Sequence, residues 1–177
     1  MKGLSFHQRP RSLGSQQARM ASRWPQFQFS QLKGSMVSWE GRVRGFQRPY
    51  LIEAFWDATS PDKPYVVLRD PPLKPRDGKA FEDIPHLLFY RERPELSGLC
   101  LFDPNGQEWS NKLLIADTTI AWSAEWLLYY ELWHLDGVWR GGGVGPENIA
   151  EARAATIYRE TGELAKEAPG SVALAAQ

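Results

Sequence analysis

The chain has 177 residues, enough for one domain with a substantial core and short for two. Lys and Arg total 21 and Asp and Glu total 21, so the formal charge is zero. That argues against a nucleic-acid binder working by phosphate neutralisation. Its single cysteine, Cys100, excludes an intramolecular disulfide and a thiolate-rich zinc site.

Residues 1–12 carry Lys2, Arg9 and Arg11 without an apolar period and read as a flexible arm. From Leu13 to Trp24, helix formers predict a first helix with Leu13, Gln17, Met20 and Trp24 on one side, and Pro25 stops it. Phe27 to Gly34 shows no clear period. Three strands are then expected: Met36 to Val43, Tyr50 to Trp56, and the β-branched run from Tyr65 to Leu68. Turn-forming connectors (Gly45 and Pro49, then Ser60-Pro61-Asp62-Lys63-Pro64) make them an antiparallel meander. Asp70 to Lys79 holds Pro71, Pro72 and Pro75 and is excluded as a central strand. His86 to Tyr90 is the candidate fourth strand.

The strongest element is a helix from about Ala121 to Leu135. Winding it leaves a narrow polar stripe, Ser123, Glu131 and His134, among Trp122, Trp126, Tyr129, Tyr130, Leu132 and Trp133. Burial on most sides is the first expectation; an aromatic face offered to a partner is the alternative. Gly137 closes the helix. Gly141-Gly142-Gly143 reads as a flexible exit, because no Gly-Lys-Ser/Thr phosphate-loop signature accompanies it. Residues 146–167 are expected to form a C-terminal helix and 168–177 a disordered tail. All eight tryptophans fall between Trp24 and Trp139, so the ends differ in kind from the middle. Arg42, Arg44 and Arg48 interleave with Phe46 and Tyr50, a pattern that can stack on bases; on a neutral chain, solvent-facing strand positions are the preferred reading.

His7, His86 and His134 show none of the short metal-ligand spacings, so no metal or cofactor is expected. No apolar run approaches the ~20 residues of a bilayer span. The polar start, Met1-Lys2-Gly3-Leu4-Ser5, lacks a signal-peptide core. The expected setting is a reducing cytoplasm.

A lone cysteine between two leucines is ordinarily packing. Here Ser97-Gly98 precedes Cys100 and Asp103-Pro104-Asn105-Gly106 follows it, so the thiol is expected in irregular chain, where cysteines are more often exposed and usable as nucleophiles. Cys100-Leu101, then Trp109-Ser110, Ile115 and Ile120, resemble in order and spacing the active-site region of ubiquitin-conjugating (E2) enzymes. The helix broken at Trp24-Pro25 and the strand Val37-Ser38-Trp39-Glu40-Gly41-Arg42-Val43 resemble the start of that fold. Ile84-Pro85-His86, Glu125-Trp126-Leu127, Tyr130-Glu131-Leu132-Trp133 and Trp139-Arg140-Gly141-Gly142-Gly143 look more like the bacterial E2-like proteins of anti-phage cyclic-oligonucleotide signalling (CBASS) operons.

The resemblance implies an α+β fold over 13–145: an N-terminal helix, a four-stranded antiparallel meander, an active-site loop and a long helix. It further implies acyl transfer through a thioester on Cys100. The carried group would be a partner's C-terminus, that of a cGAS-like nucleotidyltransferase or a ubiquitin-like protein, passed to an amine. A separate E1-like activator is a further implied partner; nucleic acid, membrane and cofactor are not. A non-catalytic module that scaffolds a partner is the alternative. Eukaryotic E2 enzymes carry an asparagine eight residues before the cysteine, assigned to the oxyanion or to loop structure; Glu92 stands here and cannot inherit an oxyanion role. His86 is the candidate substitute for oxyanion or loop support, with Asn105 and Asn111 behind it. Val144 occupies the place after the glycines where the bacterial proteins often have histidine.

Overall fold

A computed structural model describes residues 9–59, 63–103 and 108–142. The expected helix over 146–167, the tail and Asn105 lie outside the described residues, as does most of the arm. The first helix, α1 (Leu13–Arg23), starts on Ser12, whose hydroxyl accepts the Ser15 N–H. Six strands follow: β1 (Gln28–Gln31), β2 (Met36–Arg44), β3 (Pro49–Asp57), β4 (Tyr65–Asp70), β5 (Leu87–Leu88) and β6 (Gly98–Leu99). The second helix, α2 (Thr119–Asp136), ends on Gly137 in the left-handed conformation at φ 83°.

The strands form one antiparallel sheet in the order β1-β2-β3-β4-β6-β5. Six strands replace the four expected. β1 escapes a burial pattern because all four of its residues are exposed; it exists by pairing Gln28–Gln31 with Val37–Glu40. The expected strand at His86–Tyr90 contracts to Leu87–Leu88 and reaches the sheet only through β6.

Alternation along the central strands sends Val37, Trp39, Val43, Tyr50, Ile52, Ala54, Trp56, Val66 and Leu68 into the main core. Met20 of α1 and Ile120, Trp126, Leu127, Tyr130 and Trp133 of α2 complete that core, so both helices cover the same face of the sheet. The opposite face carries a smaller cluster of Met36, Phe55, Tyr65 and Val67. Arg42 and Arg44 point to solvent, and Arg42 pairs with Asp70 at 3.1 Å.

Three polar side chains of the helices, Gln16, Ser123 and Glu131, are buried. Gln16 donates to the Leu113 carbonyl at 2.9 Å and accepts the Ile115 N–H at 2.9 Å, tying α1 to the chain that leads into α2. Its amide satisfies two backbone groups at once, which makes burial tolerable. Ser123 donates to the Thr119 carbonyl at 2.7 Å, and Glu131 accepts the Gln47 N–H at 2.6 Å. Two of the three residues of the polar stripe of α2, Ser123 and Glu131, therefore face inward, while His134 is partly exposed. The half-buried aromatic residues Trp122 and Tyr129 lie toward the side that remains open. Among the described residues, no helix is long and apolar enough to cross a membrane.

Candidate active site

Cys100 follows β6 directly, in irregular chain as its turn-forming neighbours predict. β6 is held between β4 (Val67 opposite Gly98) and β5 (Leu88 opposite Gly98), so the residue after it has a defined starting point. The Cys100 N–H donates to the His86 carbonyl at 2.9 Å. The same carbonyl accepts the Trp126 indole N–H at 2.9 Å. One backbone oxygen thus links the cysteine's main chain to α2. His86 reaches this position with φ at 51°, the only non-glycine residue with positive φ among those described.

The expectation of an exposed thiol is not met: Cys100 is 8% exposed. Its Sγ contacts the Phe102 carbonyl at 3.7 Å. Burial, reinforced by the charge of Asp103, pushes the thiol up to about 11, while Lys63 acts in the opposite direction. Behind the turn, the Lys63 ammonium donates to the Asp103 carbonyl at 2.9 Å and sits 5.0 Å over the Phe102 ring. The Asp103 N–H in turn donates to Glu108 at 2.7 Å, spanning the segment that follows the cysteine.

Cys100 and His86 line one cleft of about 610 Å³. Its other walls are Leu101, Phe102, Asp103 and Glu108 on the cysteine side, and Trp122, Glu125, Trp126, Tyr129 and Trp139 from α2 and the chain beyond it. Gly141 and Gly142 close the rim. Gly141 has a packing reason beyond a flexible exit: a Cβ there would fall 2.6 Å from Trp139 Nε1 and 2.9 Å from Tyr129 Cδ2. The His86 ring stacks on Trp139 at 5.3 Å, and burial holds its pKa below the ordinary range, so the imidazole is neutral at pH 7.

The other sequence candidates stand elsewhere. Glu92 is exposed and is not part of the cleft wall. Asn111 also lies outside the wall; its carbonyl accepts the Arg11 N–H at 2.8 Å at the approach to α1. His134 binds the Lys74 carbonyl at 3.0 Å, away from the cysteine. Among the described residues no cluster of His, Cys, Asp and Glu could hold a metal ion. The contributions of the His86 carbonyl and of the Trp126 indole escape sequence reading, because both depend on a backbone orientation that residue identity does not carry.

Trp126→Phe keeps most of the packing and deletes the indole donor. We expect a loss of about 1–2 kcal/mol in urea unfolding. Faster reaction of Cys100 with a thiol reagent should accompany it, since the oxygen that seats Cys100 loses one of its two donors. Unchanged stability and reactivity would show that this hydrogen bond contributes nothing.

An antiparallel sheet covered on one face by two helices, with a cysteine beginning the irregular chain beside the second, is compatible with the E2-like α+β fold. A family model described as Type II CBASS E2 protein matches residues 16–146. The chain belongs to that family, which supports a role in CBASS anti-phage defence. No curated protein matches the chain.

Proposed function

We propose that the protein is a cysteine-dependent acyltransferase of the E2 type, acting in the cytoplasm, with Cys100 as nucleophile. The observation that carries this reading is that the single cysteine of a CBASS E2 family member lines a cleft large enough for a peptide terminus and an attacking side chain. The donor would be the C-terminus of a partner, a cGAS-like nucleotidyltransferase or a ubiquitin-like protein, brought as an activated acyl group by a separate E1-like protein.

In the first step the Cys100 thiolate attacks the acyl carbon, the C–S bond forms and the activating group departs. In the second, an amine attacks the thioester carbon: the C–N bond forms and the C–S bond breaks. Cys100 leaves as thiolate and takes a proton, and the amine loses one to solvent or to a cleft carboxylate. Neutral His86 can donate a ring N–H to the oxyanion formed in each step, while its carbonyl keeps Cys100 in position. A thiol near 11 ionises to only about one part in ten thousand at pH 7, but the thiolate that does form is a strong nucleophile. The reaction therefore depends on a donor that is already activated.

Co-expression with the neighbouring operon proteins tests this. A Cys100-linked adduct is expected on a non-reducing gel and should disappear with excess thiol. Cys100→Ser should trap a thiol-resistant oxyester, and Cys100→Ala should give none. An adduct that survives Cys100→Ala would eliminate the reading. The second reading, a scaffold that holds a partner without chemistry, is favoured by the protonated, buried thiol; it predicts partner binding by wild type and Cys100→Ala alike with no adduct from either.

A further inference from the structure

Another cavity, of about 260 Å³, opens near the C-terminal end of α2 and shares no wall residue with the cysteine cleft. Arg48 enters it from the turn between β2 and β3, Pro71, Pro72 and Lys74 from the chain after β4, and Tyr130 and His134 from α2. The main chain of Lys74 is pinned on both sides. Its N–H donates to the Tyr130 hydroxyl at 2.9 Å, and its carbonyl accepts that hydroxyl at 2.9 Å and His134 Nε2–H at 3.0 Å. The Lys74 ammonium, by contrast, has no hydrogen bond or ion pair among the described residues. Arg48 is held in the same way: its Nε donates to the Tyr50 hydroxyl at 3.0 Å, while its two terminal nitrogens have no partner among the described residues. The turn that carries it is closed by Gly45 N–H donating to the Arg48 carbonyl at 3.0 Å and anchored by Gln47 N–H donating to Glu131 at 2.6 Å.

No Asp or Glu lines this cavity. The carboxylates around it are engaged elsewhere: Asp70 with Arg42 at 3.1 Å, Asp136 with Arg140 at 2.5 Å, and buried Glu131 with the turn. Glu131 acts on Arg48 through its charge, so two cations stand against one buried carboxylate and leave room for an anion. A guanidinium fork takes two oxygens of a planar or tetrahedral anion, and an ammonium takes a further one as a point charge. A carboxylate has only two oxygens to offer, whereas a phosphate has three. The two prolines present no N–H and supply apolar wall. Phe46, two residues before Arg48 in the same turn, is 58% exposed. Its pattern with the neighbouring arginines, which could stack on bases, thus sits in a turn at the edge of a cationic cavity and not along a strand.

We infer that the cavity between the β2–β3 turn and the C-terminal end of α2 is a binding site for a mononucleotide. Arg48 and Lys74 hold its phosphate, Pro71 and Pro72 border the sugar, and Phe46 offers a face to the base. The inference does not rest on the acyl-transfer reading, because the cavity contains neither Cys100 nor any residue assigned to that chemistry.

The test is titration of the full chain with AMP, read from the His134 imidazole resonances, with adenosine, inorganic phosphate and a phosphoserine tripeptide as comparison probes. AMP should shift these resonances and bind about tenfold or more tightly than inorganic phosphate, since base stacking adds to the phosphate contacts. Adenosine should bind about tenfold or more weakly than AMP for want of the charge-assisted hydrogen bonds. Lys74→Gln, at an exposed and unpaired position, should weaken AMP about tenfold, as should Arg48→Gln. Phe46→Ala should bring AMP down to the affinity of inorganic phosphate. Raising the salt from 50 to 500 mM should cost about fivefold. Absence of AMP binding, or unchanged AMP affinity in Lys74→Gln, would overturn the inference. Inorganic phosphate or the phosphoserine tripeptide binding as tightly as AMP would also overturn it, making the cavity a seat for a free anion or for a phosphorylated protein.

Discussion

At pH 7.5, Cys100 is expected to react with iodoacetamide on the order of a hundredfold more slowly than the same cysteine in the unfolded chain. Only the thiolate is nucleophilic, and burial together with Asp103 moves its formation from about 9 to about 11. The rate should climb about tenfold per pH unit from 7 to 10 and level off near 11. This rise separates ionisation from simple shielding, because shielding lowers the whole curve without moving its midpoint. Asp103→Asn should move the curve to lower pH, and Lys63→Gln to higher pH. The sign for stability follows: a thiol whose folded value lies above its unfolded one favours the fold while protonated. That contribution is complete below about 9 and is lost as the pH rises through about 11. A reactivity profile that levels off at or below pH 9 would refute the buried, carboxylate-flanked thiol.

Gly98→Ala should be the most destabilising single methyl addition near the cleft. A Cβ at Gly98 would lie 2.4 Å from Tyr65 Cζ and 2.8 Å from its hydroxyl oxygen. Tyr65 cannot step aside easily, because its hydroxyl donates to the Leu96 carbonyl at 2.8 Å and its ring is buried in the second apolar cluster. Overpacking against a fixed ring costs about 3 kcal/mol, and the strain falls on β6, two residues before Cys100. The expected result is a lowered urea midpoint together with an altered Cys100 alkylation rate. Tyr65→Leu should relieve the clash, so the double variant should lose much less than the sum of the two single ones. A Gly98→Ala protein within about 0.5 kcal/mol of wild type would show that this approach is looser than the geometry indicates.

These two sites also show where sequence reading works and where it stops. The helices and β2–β4 are legible because they carry a period: Val37, Trp39 and Val43 alternate, and α2 repeats its aromatic residues at helical spacing. β1 and β6 carry none. Gln28–Gln31 is exposed at every position, and Gly98–Leu99 is two residues long, so both are defined by their partners. The inward turn of Ser123 and Glu131 hides for a related reason: their partners, the Thr119 carbonyl and the Gln47 N–H, are backbone groups that every sequence has. Cys100 is conspicuous as the only thiol, whereas its burial is not, since burial depends on the neighbours that the fold brings to it. His86 is legible as a site candidate, whereas the contact that its main-chain carbonyl makes with the cysteine's N–H is not.

That carbonyl has a consequence for how the protein can change over generations. The atom that orients the cysteine belongs to the main chain, so it survives any substitution at position 86. What is restricted is the backbone angle, φ 51°, a region open to glycine and to asparagine at little cost but hostile to β-branched side chains. Drift at this position is therefore filtered by shape before chemistry. A lineage could discard the imidazole and keep the cysteine seated, losing only the ring N–H proposed for the oxyanion.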